Sequence, residues 1–177
     1  MASINDFKAR LTGGGARPNL FRVICNFPAL AGVGGGLSEK ASFLVKGAQL
    51  PSSIIAPITV PYRGRQAQFA GDRTFEPWTI TVLNDTTFDV RNAFEKWSNA
   101  INNHTTNGGS SEPVDYEADM IVEQLDKAEN VIKRYNIQGT WPSNVGPIEL
   151  SSDTENTIEE FTVELQVTLW ESEGTTT

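Results

Sequence analysis

Phe161-Thr162-Val163-Glu164-Leu165-Gln166-Val167-Thr168-Leu169 alternates apolar and polar residues without a break. Successive side chains of a strand point to opposite faces, so this run predicts a strand with one face on a core and one in water. The predicted strand spans Ile158 to Glu171. Trp78 to Leu83 has the same period, with Trp78, Ile80 and Val82 on one side and Thr79 and Thr81 on the other. Near the N-terminus, Leu20 to Phe27 places Phe21, Val23, Cys25 and Phe27 together. A second strand is expected near Ser42 to Gln49, after a glycine loop (Gly32, Gly34, Gly35, Gly36), and a third over Ile54 to Tyr62. Pro57 and Pro61 make that third strand irregular, because proline removes a ladder donor. Arg63 to Phe69 follows, and Gly71-Asp72 reads as a turn.

A hairpin is predicted from Asp119 to Leu125 and Asn130 to Gly139. Its second strand sorts Val131, Lys133, Tyr135 and Ile137 from Ile132, Arg134, Asn136 and Gln138. The first strand is mixed on both faces. One helix is expected over Phe88 to Asn102, where Val90, Phe94, Trp97 and Ile101 draw an apolar stripe. Asp85, Thr86 or Thr87 can cap it, and Asp89 suits the positive end of its dipole. Ile4, Phe7 and Leu11 could make one short helix. The reading is a mainly β fold, an antiparallel β-sandwich or barrel with one α-helix. It divides into an N-terminal arm (1–16), a β domain (17–171) and a flexible tail (172–177).

The 177 residues suit one domain. Twenty-two acidic against 14 basic residues give a net charge of −8, which argues against gripping nucleic acid through its phosphates. Cys25 is the single cysteine, excluding an intrachain disulfide, and its place on a predicted core face makes it a small hydrophobe. His104 is the single histidine and lies in a polar loop, and no Gly-x-Ser-x-Gly elbow accompanies it. Gly13–Gly15 and Gly34–Gly36 lack the Lys-Ser or Lys-Thr of a phosphate loop and read as joints. Asp115, Glu117 and Asp119 would share a strand face, but without a glycine-punctuated calcium loop they read as surface acidity. No catalytic residue, metal site or cofactor is expected. The N-terminus lacks a signal-peptide run and no stretch approaches a membrane helix, so a soluble protein made in a cytoplasm is expected.

Several segments resemble the tail tube proteins of contractile-tailed bacteriophages. They are Ala16-Arg17-Pro18-Asn19-Leu20-Phe21; Ala70-Gly71-Asp72-Arg73-Thr74-Phe75, continuing through Trp78 to Val82 and Asn84-Asp85; and Gly139, Trp141-Pro142 and Asn144-Val145-Gly146. Leu50-Pro51 and the Thr168-to-Glu171 ending add to them, so the resemblance spans about residues 16 to 171. Loops Ala29–Glu39 and Asn103–Ser111 and the threonine tail depart from the pattern.

The resemblance implies a homo-hexameric ring, stacked into a tube under a sheath protein between a baseplate initiator and a tail terminator. DNA would pass without specific binding, and the protein would reside in the virion after assembly in the bacterial cytoplasm. Two hairpins per subunit, about Ser42–Tyr62 and Asp119–Gly139, would line the bore as a continuous inner β-barrel. The lumen-facing candidates are Ile132, Arg134, Asn136, Gln138, Lys46 and Glu123. The ring-stacking candidates are Arg17, Arg63, Arg65 and Arg73, on the arm and the loop Tyr62–Phe75. Six copies at −8 would carry about −48, and a negative wall would repel DNA. Two alternatives share parts of this reading: an inner tube of a secretion or extracellular injection system, and a monomeric β-sandwich binding module with exposed aromatics.

Overall fold

The computed structural model describes residues 3–32 and 34–175. Nine strands carry the fold: β1 (Phe21–Ile24), β2 (Val45–Gln49), β3 (Ser53–Tyr62), β4 (Arg65–Phe75), β5 (Trp78–Leu83), β6 (Ala118–Leu125), β7 (Val131–Val145), β8 (Glu160–Gln166) and β9 (Leu169–Ser172). The helices are α1 (Ile4–Arg10), α2 (Leu37–Leu44), α3 (Asp89–Ile101) and the single turn α4 (Pro113–Tyr116).

Seven strands form one antiparallel sheet in the order β1-β6-β7-β8-β5-β2, with β9 also on β7. Strand β7 joins the two halves. Its first part pairs with β6 and β9, and Trp141–Val145 pairs with β8. Gly139 lies between the two parts at φ 62°, and a Cβ there would stand 2.5 Å from the Thr168 hydroxyl. The predicted last strand breaks at that point. Gln138 opposes Leu169 and Trp141 opposes Gln166, so pairing resumes in register beyond a bend at Val167-Thr168. The bend shifts which side chains face inward: Phe161, Val163 and Leu165 are buried before it, whereas Trp170 packs on the core after it.

The core lies between this sheet and α3. Val90, Ala93, Phe94 and Trp97 of α3 are buried, Ile101 is half-buried, and the Trp97 indole N–H donates to the Tyr116 carbonyl at 2.7 Å. Val23, Cys25, Trp78, Ile80, Val82, Met120, Val122 and Ile137 complete it. Burial on this scale, at about 25 cal/mol per Å² of apolar surface, drives the fold.

Five expectations are corrected. The segment before Val45 is α2, not strand; Lys40 on its outer side ion-pairs with Asp85 and Asp89, tying α2 to the start of α3. Those pairs also explain why none of Asp85, Thr86 or Thr87 caps α3: Phe88 occupies the cap at φ 55° with no side-chain bond, while Thr87 hydrogen-bonds to both aspartates. The hairpin expected over Ser42–Tyr62 does not form, because β2 pairs with β5 and β3 pairs with β4. Gly71-Asp72 is a bulge inside β4, two residues opposite Ala56, and the chain reverses at Arg63-Gly64 instead. Positive φ at both Arg63 (47°) and Gly64 (78°) is the geometry of a tight two-residue hairpin turn. Finally, Asp115 belongs to α4, so Asp115, Glu117 and Asp119 do not share a strand face.

At the ends, α1 forms with a Ser3–Asp6 capping box, and β9 runs to a buried Ser172 that hydrogen-bonds with Thr175. Met1, Ala2, Val33, Thr176 and Thr177, including part of the expected arm and tail, lie outside the described residues.

Candidate assembly surfaces

Strands β3 and β4 make a two-stranded sheet of their own. Ile54, Ile55, Ile58, Val60, Tyr62 and Phe69 are all exposed on it, Ile58 at 54% and Phe69 at 57%. A lone two-stranded ribbon is marginally stable in water, and two open edges present unpaired backbone groups. The bulge needs glycine: a Cβ on Gly71 would meet the Ala56 carbonyl at 2.6 Å. Arg63 lies over the Tyr62 ring at the tip, Arg65 starts β4, and Arg73 donates to the Ser53 hydroxyl at 2.6 Å near the base. Among the described residues, none of the three arginines pairs with a carboxylate.

A second surface is the side of the β1-β6-β7 sheet away from α3. Arg22, Glu123 and Arg134 align across the three strands. Glu123 is only 1% exposed, and both guanidiniums converge on it, Arg134 Nη2 at 2.6 Å from its Oε1. Burial pushes this carboxyl up, but hydrogen bonds from Arg22 and Arg134, with their charges, outweigh it and hold the pKa below the usual value. The row can pin strand register on this face, since a one-residue slip would strand a buried carboxylate.

Of the expected lumen residues, Ile132, Arg134 and Asn136 are exposed on β7 and Gln138 is half-buried. Glu123 shares the face but is covered by its arginines. Lys46 is apart from this group, on β2, where it pairs with Glu160 at 2.5 Å. Arg17 is exposed and borders a small cleft with Leu20, Leu125, Asp126 and Ile132, far along the chain from the ribbon arginines. The structure thus brings Arg63 and Arg65 together at the ribbon tip and leaves Arg17 separate. Helix α1 buries none of its residues; Ile4 and Phe7 are exposed beside the Gly13–Gly15 joint.

The net charge is unevenly distributed along the chain. No lysine or arginine follows Arg134, while residues 135–177 hold eight carboxylates, so residues 1–134 are balanced and the whole net charge belongs to the C-terminal quarter. The asymmetry is legible in the sequence alone. Five of those acids crowd residues 147–160, where Glu149, Asp153 and Glu155 are exposed without ion-pair partners among the described residues.

His104 is exposed and lies 3.1 Å from the Asn99 side-chain oxygen. Cys25 is fully buried, and burial pushes its thiol up to about 12, far from a thiolate at neutral pH. None of the four tryptophans is exposed, so the aromatic platform of a carbohydrate-binding module is not formed by them. Among the described residues no helix is long and apolar enough to cross a membrane.

Solved structures similar to this chain include a chain of the anti-feeding prophage baseplate (TM-score 0.62, 10% identity, 92% of this chain and 97% of that one). Another is in the sheath–tube complex of an extracellular contractile injection system (TM-score 0.57, 12% identity, 93% and 96%). At those identities the likeness concerns the fold alone. Sequence relatives go further: the chain is 35% identical to tail tube protein gp19 of Enterobacteria phage T4 over 161 residues, covering 90% of this chain and 93% of that protein. It is 33% identical to the tail tube protein of Serratia phage KSP90 over 168 residues, covering 94% of each. The model of the phage tail tube protein family matches residues 16–173. The chain belongs to the phage tail tube protein family.

Proposed function

We propose that this chain is the structural subunit of a contractile phage tail tube, a virion component whose hexameric rings stack into a conduit for DNA. The observation that carries the proposal, beyond family membership, is the β3–β4 ribbon. It is an element with apolar side chains exposed and both edges open, in a chain whose other strands share one sheet and its core. Such a ribbon is completed by strands from other copies, and closing strands around a ring removes the open edges. The lining hairpins are then β3–β4 and β6–β7, with Ile132, Arg134 and Asn136 toward the bore. Sheath, baseplate initiator and terminator are the partners this role requires.

The wall itself would not be strongly negative. Across 53–75 and 118–145, six basic residues (Arg63, Arg65, Arg73, Lys127, Lys133, Arg134) face five acidic ones (Asp72, Asp119, Glu123, Asp126, Glu129). With Arg22 and Arg134 converging on Glu123 and the charges of these segments nearly balanced, the bore offers DNA no strong repulsive field. Transit without adhesion is then a matter of near-neutrality rather than repulsion.

Negative-stain electron microscopy of the purified protein at high concentration, with and without a baseplate seed, tests the role. Rings or hollow tubes of uniform width are expected. A protein that stays monomeric under both conditions would contradict it.

A further inference from the structure

Two groups of charges without ion pairs among the described residues, Arg63 and Arg65 on the ribbon and the acids of segment 147–160, flank strand β5 in the chain's connectivity. Strand β5 starts at Trp78, three residues beyond Phe75 at the base of the ribbon, and ends at Leu83, which opposes Glu160 at the end of the acidic segment 147–160. Six residues of β5 separate the two ends by about 20 Å. From the first end the ten-residue β3 can reach about 33 Å, carrying Arg63 and Arg65 at its tip. At the second end, Asp153 and Glu155 are exposed and unpaired, and Leu150 and Ile158, 81% and 68% exposed, leave apolar surface beside them. Each end thus offers what the other lacks: a cationic tip with an exposed tyrosine, and an anionic loop with exposed aliphatic side chains. Within one chain, among the described residues, neither Arg63 nor Arg65 pairs with a carboxylate and neither Asp153 nor Glu155 pairs with a cation.

We propose that the ribbon tip of one copy docks on the 147–160 loop of a second copy, so that this loop is the acceptor surface for axial stacking. The inference rests on the tube reading above and names the two surfaces that meet. The contact is heterologous, with different patches on the two partners, and a heterologous contact that does not close propagates as a filament. Its ion pairs are solvent-accessible, so each contributes little and the contact weakens as salt screens it. Multiplicity around a ring makes the sum effective.

Charge reversal in both directions tests it, with tube formation read by pelleting and electron microscopy under conditions where the wild type assembles. R63E/R65E and D153K/E155K are each expected to lower the pelleted fraction at least tenfold, with unchanged circular dichroism and melting temperature, since all four side chains are exposed. Combining all four substitutions restores opposite charges and is expected to recover tubes. Tubes forming undiminished in either double variant, or a combination no better than its parents, would overturn the proposed contact while leaving the tube reading intact. A wild type that forms no tubes even when seeded would overturn the tube reading, and this contact with it.

Discussion

Ile80 and Val82 of β5 are fully buried, whereas Ile58 and Val60 of β3, at the same two-residue spacing, remain 54% and 44% exposed. Both segments are extended and rich in β-branched residues. The difference lies in what covers them. Strand β5 has β2 and β8 on its two edges and α3 helping to close its inner face, while β3 has only β4. One region is finished within the chain and the other is left open. A subunit whose sheet folds without help can wait, and its ribbon gains stability only when copies meet.

The largest expected effect tests the finished region. Trp97→Ala deletes a fully buried ring and its hydrogen bond to Tyr116, and should cost about 3–5 kcal/mol in urea denaturation of the free subunit. Glu123→Ala comes next. It leaves Arg22 and Arg134 without their shared carboxylate and should cost about 2 kcal/mol. Glu123 also sets a pH dependence. Its folded pKa lies below the unfolded one, so its contribution is present above the unfolded carboxylate value and lost as pH falls through the folded value. Glu123→Gln should therefore flatten part of the acid limb of a stability–pH curve. The smallest effect on folding belongs to the ribbon. Ile58→Ser with Phe69→Ser should change subunit stability by about 1 kcal/mol or less, because the two side chains, though paired across the ribbon, are each more than half exposed. The same pair should abolish tube formation. A large stability loss from the ribbon pair, or a negligible one from Trp97→Ala, would erase the distinction between the two regions.

The finished region was the more legible in sequence, for a physical reason. Alternation over Trp78–Leu83 and Phe161–Gln166, and the helical stripe from Val90 to Ile101, record burial inside one chain, and the structure places those residues in the core. Pairing partners left weaker marks. Ser42–Leu44 read as strand because nothing local distinguishes it from the end of α2. Gly71-Asp72 reads as a turn because glycine serves a bulge as well as a turn, and Arg63-Gly64 gives only a weak turn signal because arginine rarely takes positive φ. The bend at Val167-Thr168 was hidden because its cause, Gly139, lies almost thirty residues away. Candidate surface residues were only partly legible: the alternation along β7 sorted Ile132, Arg134 and Asn136 from Ile137, yet the burial of Glu123 depends on Arg22, about a hundred residues distant. The acidic C-terminal quarter is fully legible in the sequence, because charge is a property of the residues and not of their pairing.

Hydrogen–deuterium exchange on free subunits and on assembled tubes addresses the central claim directly, that the β3–β4 ribbon is completed by other copies. Amides of residues 53–75 should exchange quickly in the free subunit while those of β5 and β8 are protected, and should become protected on assembly. Ribbon amides protected as well as the sheet in the free subunit, or still exchanging quickly in the tube, would contradict it.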